Sequence, residues 1–432
     1  MADQQKKAVF DGATLSPKLK GVDQGTGLPI GKPAGPDGDT VARRYKHAAG
    51  KSSTYTPEVV DMIYHMSREG TFADPVVGQF VAAKLAAERA RPDPDPPVTW
   101  DQLVFLSANL TRLVIDPYRE KCNAAVTIGT ESAAPMRLAS PIVYGGIPID
   151  RLPAPCAGAV VEAARRGGVG LVTPVSWGTC DGVQILEWDG EDPVPPLEGV
   201  AAVQLTASRA GDLVGAEARR RLEAVRARNT RQVPIGVVCP AFNGAEVVDA
   251  LIDHGIDFCV ADGQWTEDTP PSSVLPEAAV APSIGVLADV VERLRHHCRE
   301  EQVQVIYRGG IRGGADAGKA IAIGARAVTL GFAALVSTGV KLGRIDDEAA
   351  IIEALDSIAG DVEAAAESMH RFAQSVVVEV TMLARACGKR DVVNMEPEDL
   401  RSLSRGVSSA TGVGIVGKET HFRHAPGADS AR

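Results

Sequence analysis

The chain has 432 residues, of which 45% are hydrophobic, 23% are charged and 4% are aromatic, with 44 Gly and 28 Pro. The hydrophobic fraction excludes a disordered chain, and the glycine and proline content is too low for a collagen-like protein. A net charge of −10 argues against broad binding to nucleic acid or to an anionic membrane. No stretch reaches the roughly 18 apolar residues of a membrane helix, and seven scattered cysteines without a C-x-x-C pair are typical of a reducing compartment. We therefore expect a cytoplasmic protein that acts on neither nucleic acid nor membrane.

Four regions follow one another along the chain. Residues 1–52 lack periodic apolar spacing and predict an extended or partly disordered arm. Residues 53–139 carry apolar residues at helical spacing and predict an N-terminal helical region. Residues 140–335 alternate short apolar runs with amphipathic stretches, which indicates parallel strands joined by crossover helices. Residues 336–432 predict a C-terminal helical region and tail.

The third region predicts an α/β fold. Its strand candidates are Pro141–Gly145, Gly170–Thr173, Val200–Leu205, Ile235–Cys239, Asp257–Ala261, Val303–Tyr307 and Ala327–Leu330, with an eighth expected near Ala279–Ile284. Eight such strands would close a (β/α)8 barrel of the TIM type, with the helical regions as additions at either end. An open doubly wound sheet is the alternative, because strand number alone does not distinguish the two.

Two glycine-rich turns follow the last two predicted strands. Gly309 and Gly310 end one strand, and Gly331 ends the next. In a barrel these are neighbouring loops, where a phosphate commonly lies against backbone N–H groups that a Cβ would obstruct. Glycines that only form tight turns are the alternative, but two such loops in succession favour a phosphate site.

The segment from Tyr307 to Gly331 resembles the phosphate-binding end of FMN-dependent barrel enzymes, in particular the FMN domain of glutamate synthase and its stand-alone relatives such as the N-methylglutamate synthase subunit. The segments Asp116–Cys122, Pro141–Gly146 and Asn394–Leu400 resemble the same family. The resemblance implies FMN as cofactor. The residues that it assigns to FMN are Gly309, Gly310 and Gly331 for the phosphate, and Gly145, Thr173 and Gln204 for the flavin.

The middle of the chain departs from the family's pattern. Val237-Val238 stands where relatives have Val-Lys, and that lysine would stabilise negative charge on reduced flavin. Residues 264–271 are bulky and acidic where relatives have a run of glycines, and residues 175–182 replace a Gly-Glu-Gly-Gly segment. These departures exclude unchanged 2-oxoglutarate chemistry. The candidates to face a substrate, none with an assigned chemical role, are Cys180, Asp181, Asp262, Trp265 and Glu267. Loops at the barrel mouth are also the expected position of Trp177 and Trp188.

The closely spaced cysteines that bind the family's iron–sulfur cluster are missing, because no cysteine lies between Cys298 and Cys387. We therefore expect no cluster and no other metal. The sequence predicts an FMN-dependent oxidoreductase that acts on an amino- or imino-acid-like small molecule. The alternatives are a non-catalytic barrel subunit of a glutamate synthase-like complex and a flavin-free barrel enzyme that binds another phosphorylated ligand. A partner subunit or a homo-oligomer is compatible with each of them.

Overall fold

The computed structural model describes residues 52, 54–72, 76–82, 98–107, 120–178, 180, 183–190, 193–207, 210–265, 277, 282–342, 345 and 347–417. Eight strands form a closed barrel in which every neighbouring pair is parallel. The predicted α/β barrel is confirmed, and the open sheet is excluded because the last strand pairs with the first. The predicted arm over 1–52 lies outside the described residues except for Ser52.

In its described residues, the region before the barrel contains a 13-residue helix and three short strands. Helix α1 (Pro57–Glu69) is followed by β1 (Leu103–Phe105), β2 (Val126–Ile128) and β3 (Met136–Leu138), and residues 76–82 are also helical. Strands β2 and β3 form an antiparallel pair, whereas β1 pairs with a strand near the carboxyl end of the chain. The apolar spacing predicts only helices here, since strands of three residues are too short to show a period of two.

The barrel strands follow chain order around the barrel. They are β4 (Ile142–Tyr144), β5 (Gly170–Pro174), β6 (Val183–Trp188), β7 (Ala202–Leu205), β8 (Ile235–Pro240), β9 (Phe258–Asp262), β10 (Gln304–Arg308) and β11 (Ala327–Leu330). All residues of β8, β9 and β10 are buried. Burial on both faces explains why these strands are visible in the sequence as continuous apolar runs.

The eighth strand is β6, so the prediction of a strand near Ala279–Ile284 is wrong. The described residues 282–284 of that segment form no strand and lead directly into a helix. Strand β6 follows β5 through a connection whose described part is a 3-10 turn, Val175–Trp177. Because the described part of this connection contains no α-helix, the alternation that identifies the other strands is interrupted. Trp188 therefore lies in a strand with its side chain buried, and not in the predicted loop at the barrel mouth.

Helices surround the barrel and continue after it. They are α2 (Ala154–Gly167), α3 (Ala216–Arg228), α4 (Gly244–Leu251), α5 (Gly285–His296), α6 (Gly314–Ile323), α7 (Phe332–Val336), α8 (Glu348–Asp356), α9 (Val362–Ala386) and α10 (Arg405–Thr411). The 25-residue α9 packs against α1, α2 and α6, and strand β12 (Leu400–Ser402) pairs with β1. Within the ranges described above, no helix is both long and apolar enough to cross a membrane.

Candidate functional site

Polar side chains from four barrel strands meet at the carboxyl ends of those strands, which we call the barrel mouth. Glu187 lies on β6, Gln204 on β7, Asp262 on β9 and Arg308 on β10. Parallel strands end at the same edge of a barrel, so residues distant in sequence come together there. The mouth is the usual position of the active site in barrels of this type.

Arg308 connects these side chains into one network. Its Nε donates a hydrogen bond of 2.9 Å to Oδ2 of Asp262, and Nη2 donates to the same oxygen. Its Nη1 donates to Oε2 of Glu187 at 3.3 Å, and Gln204 Nε2 donates to that same Glu187 oxygen. The second oxygen of Asp262 accepts from the backbone N–H groups of Gln264 and Trp265, at 2.9 and 3.2 Å. The network spans the mouth from β6 to β10.

The network is buried and nearly saturated. The side chains of Arg308 and Asp262 are 3% and 1% exposed, whereas that of Glu187 is 21% exposed. Burial alone would lower the pKa of Arg308, but the charges of Asp262 and Glu187 outweigh it and raise that pKa above its ordinary value. Among the described residues at the last position of each barrel strand and the two positions after it, no other lysine or arginine accompanies Arg308. Its charge is matched by one carboxylate in the interior and a second one near solvent.

The structure places the candidate substrate-facing residues differently. Asp262 is at the mouth but is engaged by Arg308 and two backbone N–H groups, and the side chain of Trp265 is buried. Cys180 is half-buried, and its backbone N–H donates to Gln184 Oε1 at 3.1 Å. Asp181 and Glu267 lie outside the described residues.

Two of the residues assigned to the flavin, Gly145 and Thr173, lie at or beside the ends of β4 and β5. Thr173 Oγ1 accepts a 2.7 Å hydrogen bond from Gln184 Nε2, which also donates to the carbonyl of Gly178. A Cβ on Gly145 would lie 3.0 Å from Val172, and one on Gly146 would lie 3.4 Å from Cδ of Arg308. The backbone at Gly145 and Gly146 is therefore closely packed against Val172 and Arg308.

The predicted phosphate loops have backbone conformations that glycine alone adopts readily. Gly309 and Gly310 have φ values of 145° and 59°, and a Cβ on either would meet Pro282, at 3.0 and 2.5 Å respectively. Gly331 directly follows β11, which pairs with β10, so the predicted phosphate space lies at the ends of these two neighbouring strands.

That space holds a carboxylate from the chain itself. Glu277, from the connection between β9 and β10, accepts a 2.7 Å hydrogen bond from the backbone N–H of Phe332 and one of 2.8 Å from Tyr55 Oη. A Cβ on Gly331 would overlap Oε2 of Glu277. We call this arrangement the anion cradle: the N–H of Phe332 and the hydroxyl of Tyr55, beside Gly331.

The carboxyl group of Glu277 is buried, in a residue that is only 2% exposed. Burial raises the pKa of Glu277, and the hydrogen bonds from the Phe332 N–H and the Tyr55 hydroxyl oppose the rise. Donors of this kind, one of them a backbone N–H group, also suit the phosphate of a nucleotide. The cradle therefore fits a phosphate in its donors, while its volume is filled by Glu277.

The neighbouring turn after β10 is closed by other carboxylates. Glu379 of α9 accepts from the backbone N–H of Gly314, the first residue of α6, at 2.6 Å. Arg312 is buried and donates to Asp316 and Asp101, with Nε to Asp316 Oδ2 at 2.7 Å and Nη2 to Asp101 Oδ1 at 2.8 Å. The start of α6 is thus a structural contact with α9, and the anion cradle is the part of the predicted phosphate region that remains to be explained by function.

Sequence reasoning missed four residues of this site: Tyr55, Glu187, Glu277 and Arg308. Arg308 stands directly before the recognised Gly309-Gly310 pair, so its place at a strand end could be predicted, but its pairing with Asp262 and Glu187 could not. Glu187 was missed together with β6. Tyr55 and Glu277 are separated by 222 positions and belong to no periodic pattern, so no local signal links them. Among the part of the chain that the structure describes, no group of three or more His, Cys, Asp or Glu side chains is arranged to hold a metal ion.

Comparison with known proteins gives three results. The family model described as a conserved region in glutamate synthase matches residues 215–390 of this chain. A glutamate synthase large subunit-like protein of Rhizobium meliloti (strain 1021) is 26% identical over 397 residues, which cover 74% of this chain and 87% of that protein. An archaeal-type glutamate synthase (NADPH) of Thermotoga neapolitana is 32% identical over 125 residues, so the matched region is 29% of this chain and 25% of that protein.

Solved structures share the barrel. A mandelate oxidase with (S)-2-phenylpropionate has a TM-score of 0.50 and 17% identity, with 83% of this chain and 99% of that chain covered. A mutant mandelate oxidase with 2-hydroxy-phenylacetamide has the same TM-score and identity, with 79% and 98% covered. This likeness supports the fold alone.

Proposed function

Because this chain is a glutamate synthase-like protein, we propose that it is an FMN-dependent oxidoreductase whose substrate is an amino- or imino-acid-like small molecule. The observation that carries the proposal is the anion cradle, where the N–H of Phe332 and Tyr55 Oη converge on one buried carboxyl group beside Gly331. A phosphate group requires the same donors. The cradle lies at the ends of the last two barrel strands, beside the network that spans the mouth.

Each described residue of the mouth has a defined task under this proposal. Gly310 and Phe332 would hold the cofactor phosphate, and Gly145, Gly146 and Gln204 would border its ring. When bound, FMN supplies the capacity to accept or donate a hydride. Arg308 would supply a cation at the strand ends, where relatives have a lysine on the strand equivalent to β8, but its charge is paired with Asp262 and Glu187.

Charge at the mouth bears on the substrate. Oε2 of Glu187 is held by Arg308 and Gln204, and its side chain is the more exposed carboxylate of the network. A carboxylate that is partly open to solvent attracts the ammonium group of an amine. Arg308, by contrast, is already neutralised by two carboxylates, so it is poorly placed to bind the carboxylate of a 2-oxo acid. The mouth therefore favours an amine as the reduced substrate.

The test begins with purified protein. We expect flavin absorbance that is released by heat, or quenching of FMN fluorescence when FMN is added to protein free of flavin. Anaerobic bleaching of the bound flavin by candidate amino acids or by NADPH then identifies the electron donor. A colourless protein that fails to bind FMN would contradict the proposal.

One observation favours a second candidate, the non-catalytic barrel subunit. Glu277 fills the cradle and is held by two hydrogen bonds of ordinary length. A barrel that had lost its cofactor would keep its fold in this way, because the buried N–H groups still have an acceptor. Absence of binding of both FMN and inorganic phosphate, in wild-type protein and in variants of Glu277, would favour this candidate.

A further inference from the structure

We propose that Glu277 is an internal competitor for the anion cradle, so that a phosphate-bearing ligand binds only when the Glu277 side chain leaves it. This inference rests on the proposed function for the identity of the ligand, FMN, but the competition itself concerns any phosphate. Glu277 would thereby lower the affinity of the anion cradle for a phosphate-bearing ligand.

Geometry makes the two occupants mutually exclusive. Oε2 of Glu277 lies so close to Gly331 that a single added Cβ would overlap it, and the carboxylate accepts directly from Phe332 N at 2.7 Å. A phosphate oxygen that accepted from the same N–H would need the same position, since an N–H···O hydrogen bond fixes the acceptor at about 2.7–3.2 Å. The carboxylate and the phosphate cannot both be there.

Burial makes the exchange costly in the absence of a second anion. Withdrawal of Glu277 leaves the N–H of Phe332 and the hydroxyl of Tyr55 without this acceptor, and an unsatisfied buried donor costs about 1–3 kcal/mol. A phosphate that enters restores both hydrogen bonds. The cradle is therefore stable when it holds either anion, and unstable when it holds neither.

Residues 282 and 283, which follow Glu277 in the connection between β9 and β10, pack beside the glycine turns. Pro282 contacts the positions of Gly309 and Gly310, and Ser283 N donates to the carbonyl of Gly263 at 2.8 Å. Tyr307 Oη donates to the carbonyl of Ser283 at 3.2 Å. These contacts fix residues 282 and 283 while Glu277 reaches the cradle, so the exchange requires movement at Glu277 and leaves the anchored end in place.

The decisive experiment compares wild type with Glu277→Ala and Glu277→Gln, using FMN, riboflavin and inorganic phosphate as ligands. Loss of the competing carboxylate is expected to raise FMN affinity by about 10-fold or more, since a hydrogen bond to a charged group contributes about 1.5–3 kcal/mol and 1.4 kcal/mol is a factor of 10. Riboflavin has no phosphate, so its affinity should stay the same. Inorganic phosphate should raise the Tm of Glu277→Ala and leave that of wild type unchanged.

Glu379→Gln is the matched control, because Glu379 is a partly buried carboxylate that also accepts from a backbone N–H, but outside the cradle. Its FMN affinity should equal that of wild type.

Should Glu277→Ala fail to fold, Glu277→Gln keeps the size and an acceptor oxygen without the charge, and a gain in FMN affinity is expected there too. Equal affinity of wild type and both Glu277 variants for FMN would overturn the inference and leave the proposed function intact. Stabilisation of Glu277→Ala by inorganic phosphate, without FMN binding to any form, would support the inference and overturn FMN as the cofactor.

Discussion

At the scale of single residues, the mouth depends on a buried ion pair whose partners the sequence does not connect. Asp262 and Gln204 could be placed at strand ends from the apolar runs that precede them. That Arg308 neutralises Asp262 could not be predicted, because the two side chains are 46 positions apart and meet only when β9 and β10 pair in register. Asp262 was accordingly expected to face substrate, whereas its carboxylate supports Arg308.

Arg308→Met is expected to lower the free energy of unfolding by about 3–5 kcal/mol, because it leaves the buried carboxylate of Asp262 without a counterion. The double variant Arg308→Met/Asp262→Asn should lose less than the sum of the two single variants. Urea unfolding followed by circular dichroism measures both. Arg220→Met is the control, since Arg220 and Glu217 form an exposed pair, and it should change stability by less than about 1 kcal/mol. Equal losses at Arg308 and Arg220 would contradict this account.

At the scale of elements, the long apolar strands could be predicted within one or two residues, whereas β6 could not. The strand has polar residues at Gln184 and Glu187, both used at the site, so the functional side chains themselves weaken its apolar signal. The packing of α9 across α6 was also beyond reach of the sequence, because it depends on the absence of a side chain at Gly314. A Cβ there would overlap Cβ of Glu379 and lie 2.6 Å from the carbonyl oxygen of Val376.

Gly314→Ala should therefore destabilise the protein by more than about 1 kcal/mol, through overpacking of backbone against backbone. Gly360→Ala is the control, because a Cβ at Gly360 meets no atom within 4 Å, and a change within about 0.5 kcal/mol is expected there. Both are measured by urea unfolding. A stable Gly314→Ala protein would show that α6 and α9 can separate without loss.

Glu379 makes the same contact sensitive to pH. Burial raises its pKa from 4.5 to about 7, so between these values the folded protein binds a proton that the unfolded chain releases. Stability from this residue is therefore fully present below pH 4.5 and is lost as pH rises towards 7, by about 3 kcal/mol at 1.36 kcal/mol per unit. Glu379→Gln does not titrate. Between about pH 5 and about pH 7.5, the wild type should therefore lose unfolding free energy relative to Glu379→Gln. Parallel pH profiles of the two proteins would contradict the assignment.

At the scale of the whole molecule, the region before the barrel completes the site. Tyr55 precedes α1, yet its hydroxyl reaches Glu277 at 2.8 Å and its ring packs edge-on against Phe332, with 4.8 Å between ring centroids. Trp100 packs in the same way on Tyr307 of β10, and its carbonyl accepts from Lys319 of α6. The sequence predicts a barrel with additions, but it could not show that the additions reach the strand ends, since these contacts join residues more than 200 positions apart.

The coupling between Tyr55 and Glu277 is measurable as a double-mutant cycle. Tyr55→Phe removes the hydroxyl and keeps the ring contact with Phe332, so it should cost about 1.5–3 kcal/mol, the range for a hydrogen bond to a charged group. In the presence of Glu277→Gln the same change should cost less, with a coupling energy of about 0.5–3 kcal/mol. Tyr64→Phe, which removes a hydroxyl that donates to the carbonyl of Val340, should instead be additive with Glu277→Gln. Additivity at Tyr55 as well would mean that the N-terminal region stabilises the barrel without holding Glu277, and the cradle would then consist of the N–H of Phe332 alone.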